Sequence, residues 1–269
     1  VIPLEMHAMT DVGKKRQHNE DYVGVSLTHG VAVLADGMGG YNAGEVASRM
    51  AVEIITTTVQ KKILQMPTAQ INEHTGFTEE SVLVRDAILQ ANNSIFSTAS
   101  TQQECAGMGT TVLAAAFYGD RITAAHVGDS RMYRLRDNIL THVTEDHSLI
   151  HEQVRRGLLT AANARNSSIK NLVTRALGVE ANVEADIVED MVFEGDLYLM
   201  CSDGLTDVVS DEVIHATLTH YWDNLPAANQ RLIGLANEAG GPDNISVILI
   251  KAPKEEKSTK GFFSRLFRK

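Results

Sequence analysis

Four aspartates stand beside glycine or asparagine at the ends of apolar runs: Asp36 in VAVLADGMGG, Asp129 in AAHVGDSR, Asp203 in LYLMCSDG and Asp243 in GGPDNISVILI. A fifth, Asp21, comes just before the apolar stretch 22–27. Any one of them alone reads as a turn residue, because aspartate before glycine is ordinary turn chemistry. Together they read differently. In antiparallel neighbours the end of one strand lies beside the start of the next, so the five carboxylates are expected on one rim. Acids crowded there would raise one another's pKa and destabilise the fold, so the pattern calls for hard divalent cations. Oxygen donors favour Mg2+ or Mn2+ over zinc.

Two such ions, held by the aspartates and by the carbonyl of Gly37, would make a hydroxide nucleophile from a shared water, without a serine or cysteine. Asp36 is the expected bridging carboxylate, since its Asp-Gly-Met-Gly-Gly context frees the backbone most. Arg16, five residues before Asp21, lies on the segment that would pass the same rim. A guanidinium there can grip a phosphate with two hydrogen bonds. Phosphate-monoester hydrolysis is among the slowest uncatalysed reactions, and a metal-made nucleophile with charge neutralisation is the help it requires.

The elements that must position these groups follow from periodicity. Strands are expected over 5–11, 22–27, 30–36, 110–118, 121–127, 131–136, 184–188, 196–202 and 244–251. Hairpin turns at 118–121 and 136–139 imply antiparallel pairing. Asn42 with Glu45 resembles a capping box, opening a helix that runs on to Pro67, with Val46, Ala47, Met50, Ala51, Ile54 and Ile55 at helical spacing. The ITTTV run inside it is poor helix sequence. Further helices are expected around Val84–Ile95, over 151–159, after a Ser210 cap, and around Ala228–Ala239. Residues 160–170, small and polar, read equally as a mobile excursion beside the site or as a surface loop. Blocks of helices between strands that are buried on one or both faces give an α+β fold of two antiparallel sheets sandwiched by helices.

At 269 residues and 43% hydrophobic content, the chain can bury a sizeable core, and it reads as one domain over 1–252 followed by a tail, 253–269. A net charge of −10 argues against a general nucleic-acid binder. Cys105 and Cys201 suggest neither a disulfide framework nor a zinc site, and Cys201, inside LYLMC, reads as a buried side chain. Without an apparent signal peptide or membrane-length apolar run, a cytoplasmic location is expected. Phe262, Phe263, Leu266 and Phe267 would share one helical face, with Arg265, Arg268 and Lys269 on another. Residues 260–269 read either as a disordered end or as a weak contact with the inner face of a membrane or with a partner.

The segments Thr10-Asp-Val-Gly-Lys-Lys-Arg-Gln-His-Asn-Glu-Asp21, Ala35-Asp-Gly-Met-Gly-Gly40, Gly109-Thr-Thr111, His126-Val-Gly-Asp-Ser-Arg131, Asp146-His-Ser148, Cys201-Ser-Asp-Gly-Leu205 and Gly241-Pro-Asp-Asn244 resemble, in order, the motifs of the metal-dependent serine/threonine protein phosphatases of type 2C. The resemblance implies a four-layer α-β-β-α sandwich around a binuclear Mg2+/Mn2+ centre. It implies that Asp36 bridges the ions, Gly37 gives a carbonyl, Asp203 and Asp243 complete one shell, and Asp21 with Glu20 serves the other through water. It further implies a third ion on Asp129 and Asp203, and Arg16 on the phosphate. Phosphorylated proteins are the implied substrates, with a bacterial Ser/Thr kinase as the opposing partner and the chain a monomer.

Members of the family often carry a histidine in or after the DGxGG segment, where this chain has Met38 and Tyr41. The common His-Pro-x-Arg-Asn pattern reads Ser-Ser-Ile-Lys-Asn over 167–171. His126 and His147 read as hydrogen-bonded structural histidines, and His18 as a neighbour of substrate. A non-catalytic phosphoprotein-binding relative and a phosphatase of small esters remain as alternatives.

Overall fold

In strand β3 (Val31–Met38), Val31, Val33 and Ala35 face one apolar core while Ala32 and Leu34 face a second. Strand β5 (Val112–Tyr118) splits the same way, with Leu113, Ala115 and Phe117 joining Ala32 and Leu34. A strand buried on both faces has no polar side, which is why these runs read as continuously apolar. The computed structural model describes residues 3–39, 43–159 and 172–253. The expectations for Asn42, for Tyr41, for residues 160–171 and for the tail beyond 253 lie outside the described residues.

One sheet has the order β2 (Asp21–Ser26), β3, β5, β6 (Arg121–Val127) and β9 (Asp186–Met191), with the short β4 (Gly109–Thr110) paired to β3. The other has the order β1 (Glu5–Asp11), β11 (Ile245–Lys251), β10 (Leu197–Cys201), β7 (Arg131–Arg136) and β8 (Ile139–His142). All the ladders are antiparallel. Between the sheets lies a core of Leu34, Leu113 and Phe117 from one and Met132, Tyr198, Met200, Ile248 and Ile250 from the other.

Helices α1 (Ala43–Lys62) and α2 (Glu79–Thr101) cover the outer face of the first sheet through Ala47, Ala51, Ile55, Val84, Ile88 and Ile95. A short α3 (Leu149–Arg155) follows β8, and α4 (Asp203–Thr206) follows β10 directly. Helices α5 (Asp211–His220) and α6 (Leu225–Glu238) cover the second sheet through Ile214, Leu218, Leu225 and Leu232. The result is the expected α+β, four-layer α-β-β-α sandwich.

Several boundaries differ from the sequence expectation. Strand β3 does not stop at Asp36: Gly37 and Met38 continue it by pairing with Thr110 and Gly109. The expected strand 110–118 is broken at Thr111 into β4 and β5, and β9 starts two residues late and runs to Met191. The threonines of the ITTTV run stay within α1, where burial of Ile55 and Val59 overrides weak propensity. Ser210 is the N-cap residue of α5, but its side chain makes no capping bond. No helix among the described residues is long and apolar enough to cross a membrane.

Candidate metal centre

Asp21 and Asp36 are direct cross-strand partners on β2 and β3. By the alternation of β3, Asp36 takes the face of Ala32 and Leu34, so it looks between the sheets at their open end. Asp203 follows β10 and opens α4, while Asp243 lies just before β11, the neighbour of β10. Asp129 lies between the end of β6 and the start of β7. Strand ends from both sheets thus gather at one end of the sandwich.

Short polar residues hold the carboxylates in place. Ser202 Oγ donates to Asp21 Oδ2 at 2.8 Å, joining the two sheets. The main chain of Asp36 is gripped three ways: its N–H donates to Thr111 Oγ1 at 3.1 Å, and its carbonyl accepts from Thr111 N and from Thr110 Oγ1, each at 2.9 Å. Gly37 donates to the Glu20 carbonyl at 3.0 Å, and a Cβ on it would lie 2.1 Å from the Gly44 carbonyl oxygen. Only glycine lets β3, the Glu20 loop and the start of α1 come this close.

Asn244 organises the loop that carries Arg16. Its side-chain amide donates to the carbonyls of Val12 and His18 at 2.9 and 3.0 Å, and its Oδ1 accepts from Glu20 N at 2.8 Å. Arg16 Nη2 meets Asp243 Oδ2 at 2.8 Å with the guanidinium half-exposed. The guanidinium therefore sits at the rim. His18 is exposed on the same loop.

Burial, and then the charges of Asp21, Asp203, Asp129 and Asp243, push the Asp36 carboxyl well above its ordinary range. Burial followed by Asp129 and Asp243 does the same to Asp203. Burial raises Asp21 to about 6 against the opposing hydrogen bonds of Ser246 and Ser202. Asp129 is raised to about 6 by burial and then by Asp146. Glu20 is raised by burial, with Arg16 opposing. Asp36 and Asp203, each with four other carboxylates acting on it, prefer their protons unless a cation replaces them.

Among the described residues, no three Asp, Glu, His or Cys side chains stand in a ready coordination shell. The fit to an ion rests instead on the donors. Asp21 Oδ1 and Asp203 Oδ1 are fully buried and have no hydrogen-bond partner. Buried anionic oxygens left this way are strongly unfavourable unless something positive meets them. All-oxygen donors suit a hard divalent cation.

The sequence singled out no role for Ser202, Thr111 or Asn244, although each interrupts or borders an apolar run. It also passed over Asp207, whose charge bears on both Asp129 and Asp203. A signal existed, since Asp207 lies one helical turn after Asp203. The histidines donate nothing to the centre: His126 and His147 are buried, with His126 Nε2 on the Glu145 carbonyl at 2.7 Å and His147 Nδ1 accepting from Gly128 N–H at 3.2 Å. Cys201 is fully buried and its thiol is pushed up to about 12, mainly by burial, so it is no nucleophile.

Two antiparallel sheets between helix pairs, with acids gathered at one end of both, place the chain among the metal-dependent phosphatase folds, and comparison with known proteins makes the family specific. The protein phosphatase 2C profile matches residues 12–235, and the chain belongs to that family. It is similar to the serine/threonine phosphatase stp of Listeria monocytogenes, 38% identical over 257 residues that cover 94% of this chain and 98% of the relative. Among solved structures, the Mycobacterium tuberculosis serine/threonine phosphatase PstP/Ppp superposes with a TM-score of 0.83 at 34% identity, covering 93% of this chain and 99% of that one. A second structure, the catalytic domain of PstP in complex with two manganese ions, gives a TM-score of 0.80 at 34% identity over 92% of this chain and 97% of that one.

Proposed function

We propose that this chain hydrolyses phosphoserine and phosphothreonine in proteins, with divalent ions held by Asp21, Asp36, Asp129, Asp203, Asp243 and the Gly37 carbonyl. The observation that carries the reading is the gathering of buried and half-buried carboxylates, two with buried unpartnered oxygens, beside the Arg16 guanidinium. Mg2+ and Mn2+ fit such donors, and the relative solved with manganese supports the choice.

Asp36 is assigned the bridging position between two ions, with Asp203 and Asp243 on one and Asp21 and Glu20 on the side of the other. Asp129, with Asp203, is assigned a third. Bound there, the ions supply Lewis acidity and a nucleophile drawn from water at neutral pH. Arg16 is assigned to the phosphoryl oxygens: held at the rim by its pair with Asp243, it can exchange one anion for another at little cost, since an exposed ion pair is weak. Thr110 and Thr111 keep Asp36 from shifting as charge develops.

The catalytic unit is assigned to residues 1–252, acting as a monomer in the cytoplasm and reversing a Ser/Thr kinase. The basic residues 260–269 would add a weak contact with the membrane face or a partner. The test measures phosphate release from phosphothreonine, phosphoserine and phosphotyrosine peptides and from a small ester, in Mn2+, Mg2+ or EDTA, for the unaltered protein and Asp203→Asn. Release from the first two peptides, lost both in EDTA and in the variant, is expected. Metal-independent turnover, or turnover of the small ester alone, overturns the reading.

A further inference from the structure

We propose that His147 is a positioning residue for Asp129, gripping the main chain one residue before that carboxylate and tying it to the sheet edge at Asp186. Strand β6 ends at Val127, so no ladder holds Gly128. His147 takes its place at both main-chain groups. The Gly128 N–H donates to His147 Nδ1 at 3.2 Å, and the Gly128 carbonyl accepts from His147 N at 2.9 Å. Gly128 has φ +115°, and a Cβ there would come within 2.6 Å of Thr111 Cβ, so only glycine fits between this grip and Thr111.

The ring itself is fixed on its other side. Because Nδ1 accepts, the ring proton sits on Nε2, which faces Asp186 Oδ2 at 3.2 Å. Asp186 lies on the edge strand β9 and also accepts from Arg175 Nη1 at 2.8 Å. The imidazole stacks on His126 with centroids 4.6 Å apart, and the His147 carbonyl accepts from Thr174 N at 2.8 Å. Both ring nitrogens are thus engaged, which leaves His147 to orient a ligand rather than to be one. Partners of this kind, one step behind a metal ligand, commonly set its affinity.

The inference rests on the reading of Asp129 as an ion ligand, and calorimetric titration of the full chain with Mn2+ separates the two. His147→Asn places an amide oxygen where Nδ1 stands and keeps the acceptor for Gly128. His147→Gln keeps reach toward Asp186 but loses that acceptor. Asp129→Asn is expected to remove one ion from the stoichiometry. His147→Gln is expected to weaken that same ion about 10–100-fold, leaving the others unchanged, while His147→Asn, which keeps the acceptor for Gly128 and loses only the tie to Asp186, weakens it no more than several-fold. A space-filling role would give the reverse order, because asparagine is the smaller replacement.

Asp186→Ala, on a half-exposed edge residue, keeps the test alive if the glutamine variant does not fold: it frees the ring and should weaken the same ion several-fold. Unchanged stoichiometry in Asp129→Asn sinks the ligand reading and this inference with it. Loss of an ion in Asp129→Asn, with parental binding in His147→Gln and Asp186→Ala, overturns the positioning role alone.

Discussion

Asp21 and Asp36 face each other across the β2–β3 ladder, and both prefer their protons far more than an exposed aspartate does. Like charges directly opposite on antiparallel strands destabilise a sheet. The pair persists because the surrounding structure holds it: Ser202 fixes one carboxylate, and Thr110 and Thr111 fix the main chain of the other.

Asp36→Asn removes one of the two charges without changing shape. In chelator the variant is expected to be more stable by about 1–2 kcal/mol, as often follows when a strained functional site is relaxed. Activity with Mn2+ or Mg2+ should fall by at least about 10²-fold. Thermal unfolding in EDTA beside phosphate release checks both, and a destabilised Asp36→Asn would contradict the electrostatic account.

How far this site was readable shows in the same pair. Glycine after Asp36 signals a turn, so the sequence ends β3 there, yet Gly37 and Met38 remain paired because Thr110 and Gly109 arrive from far along the chain. That is long-range register, which no local pattern carries. The aspartates were visible because a charged residue stands out in an apolar run. Ser202, Thr111 and Asn244 were not, because a small polar residue has many local uses and its partner is chosen only when the sheets stack. Likewise β3 and β5 could be seen as strands, but which residues face which core depends on the second sheet.

Stability in the absence of metal should depend on pH in a definite direction. Asp21 and Asp129 titrate at about 6 in the fold, above the unfolded value of about 3.9. A raised folded pKa means that the folded state binds the proton more tightly. The contribution is complete below about pH 4 and is lost as pH rises through about 6. In EDTA, Tm is therefore expected to fall by several degrees between about pH 5 and about pH 7 from these two groups, and the rise in Tm on adding Mn2+ should be larger at the higher pH. A metal-induced shift independent of pH would contradict this.

Arg16 is expected to bear on binding rather than folding. Its guanidinium is half-exposed and its ion pair with Asp243 is at the rim, so Arg16→Ala should change stability by no more than about 0.5 kcal/mol. The same change should lower kcat/KM on a phosphothreonine peptide by about 10²-fold. Arg16→Lys, a point charge without the planar fork, should fall between the two. Steady-state kinetics with a Tm control reads all three, and parental kcat/KM in Arg16→Ala would remove the phosphate role.

Two glycine-to-alanine changes should move stability in opposite directions. Gly37→Ala drives a methyl group to within 2.1 Å of the Gly44 carbonyl oxygen, a backbone atom that cannot step aside. A loss of about 3 kcal/mol or more is expected, with loss of activity. Gly234 lies inside α6, and its added Cβ would meet nothing. Gly234→Ala should therefore stabilise by about 0.5–1 kcal/mol through helix propensity alone. Denaturant melts of the two proteins decide.

Far from the carboxylates, at the other end of β7 and β10, the partly exposed Arg136 and the buried Asp196 make an ion pair that tests whether stability and chemistry separate. Arg136 Nε and Nη2 donate to the two Asp196 oxygens at 2.7 and 2.6 Å. Asp196 also accepts from Phe193 N at 2.8 Å and from the Tyr198 hydroxyl at 3.1 Å. Arg136 lies over the Phe193 ring, 4.5 Å from its centroid. Asp196 is 1% exposed, so Asp196→Ala leaves the Tyr198 hydroxyl and the Phe193 amide without their acceptor and takes the carboxylate from Arg136, which keeps the Met191 carbonyl. The expected loss is about 3–5 kcal/mol. Because none of these groups touches the metal centre, kcat/KM measured below the unfolding transition should stay at the parental value. A large fall in kcat/KM for a folded Asp196→Ala would mean that the two ends of the sandwich are coupled, and that the acids at the far rim depend on packing beyond Ser202, Thr110, Thr111 and Asn244.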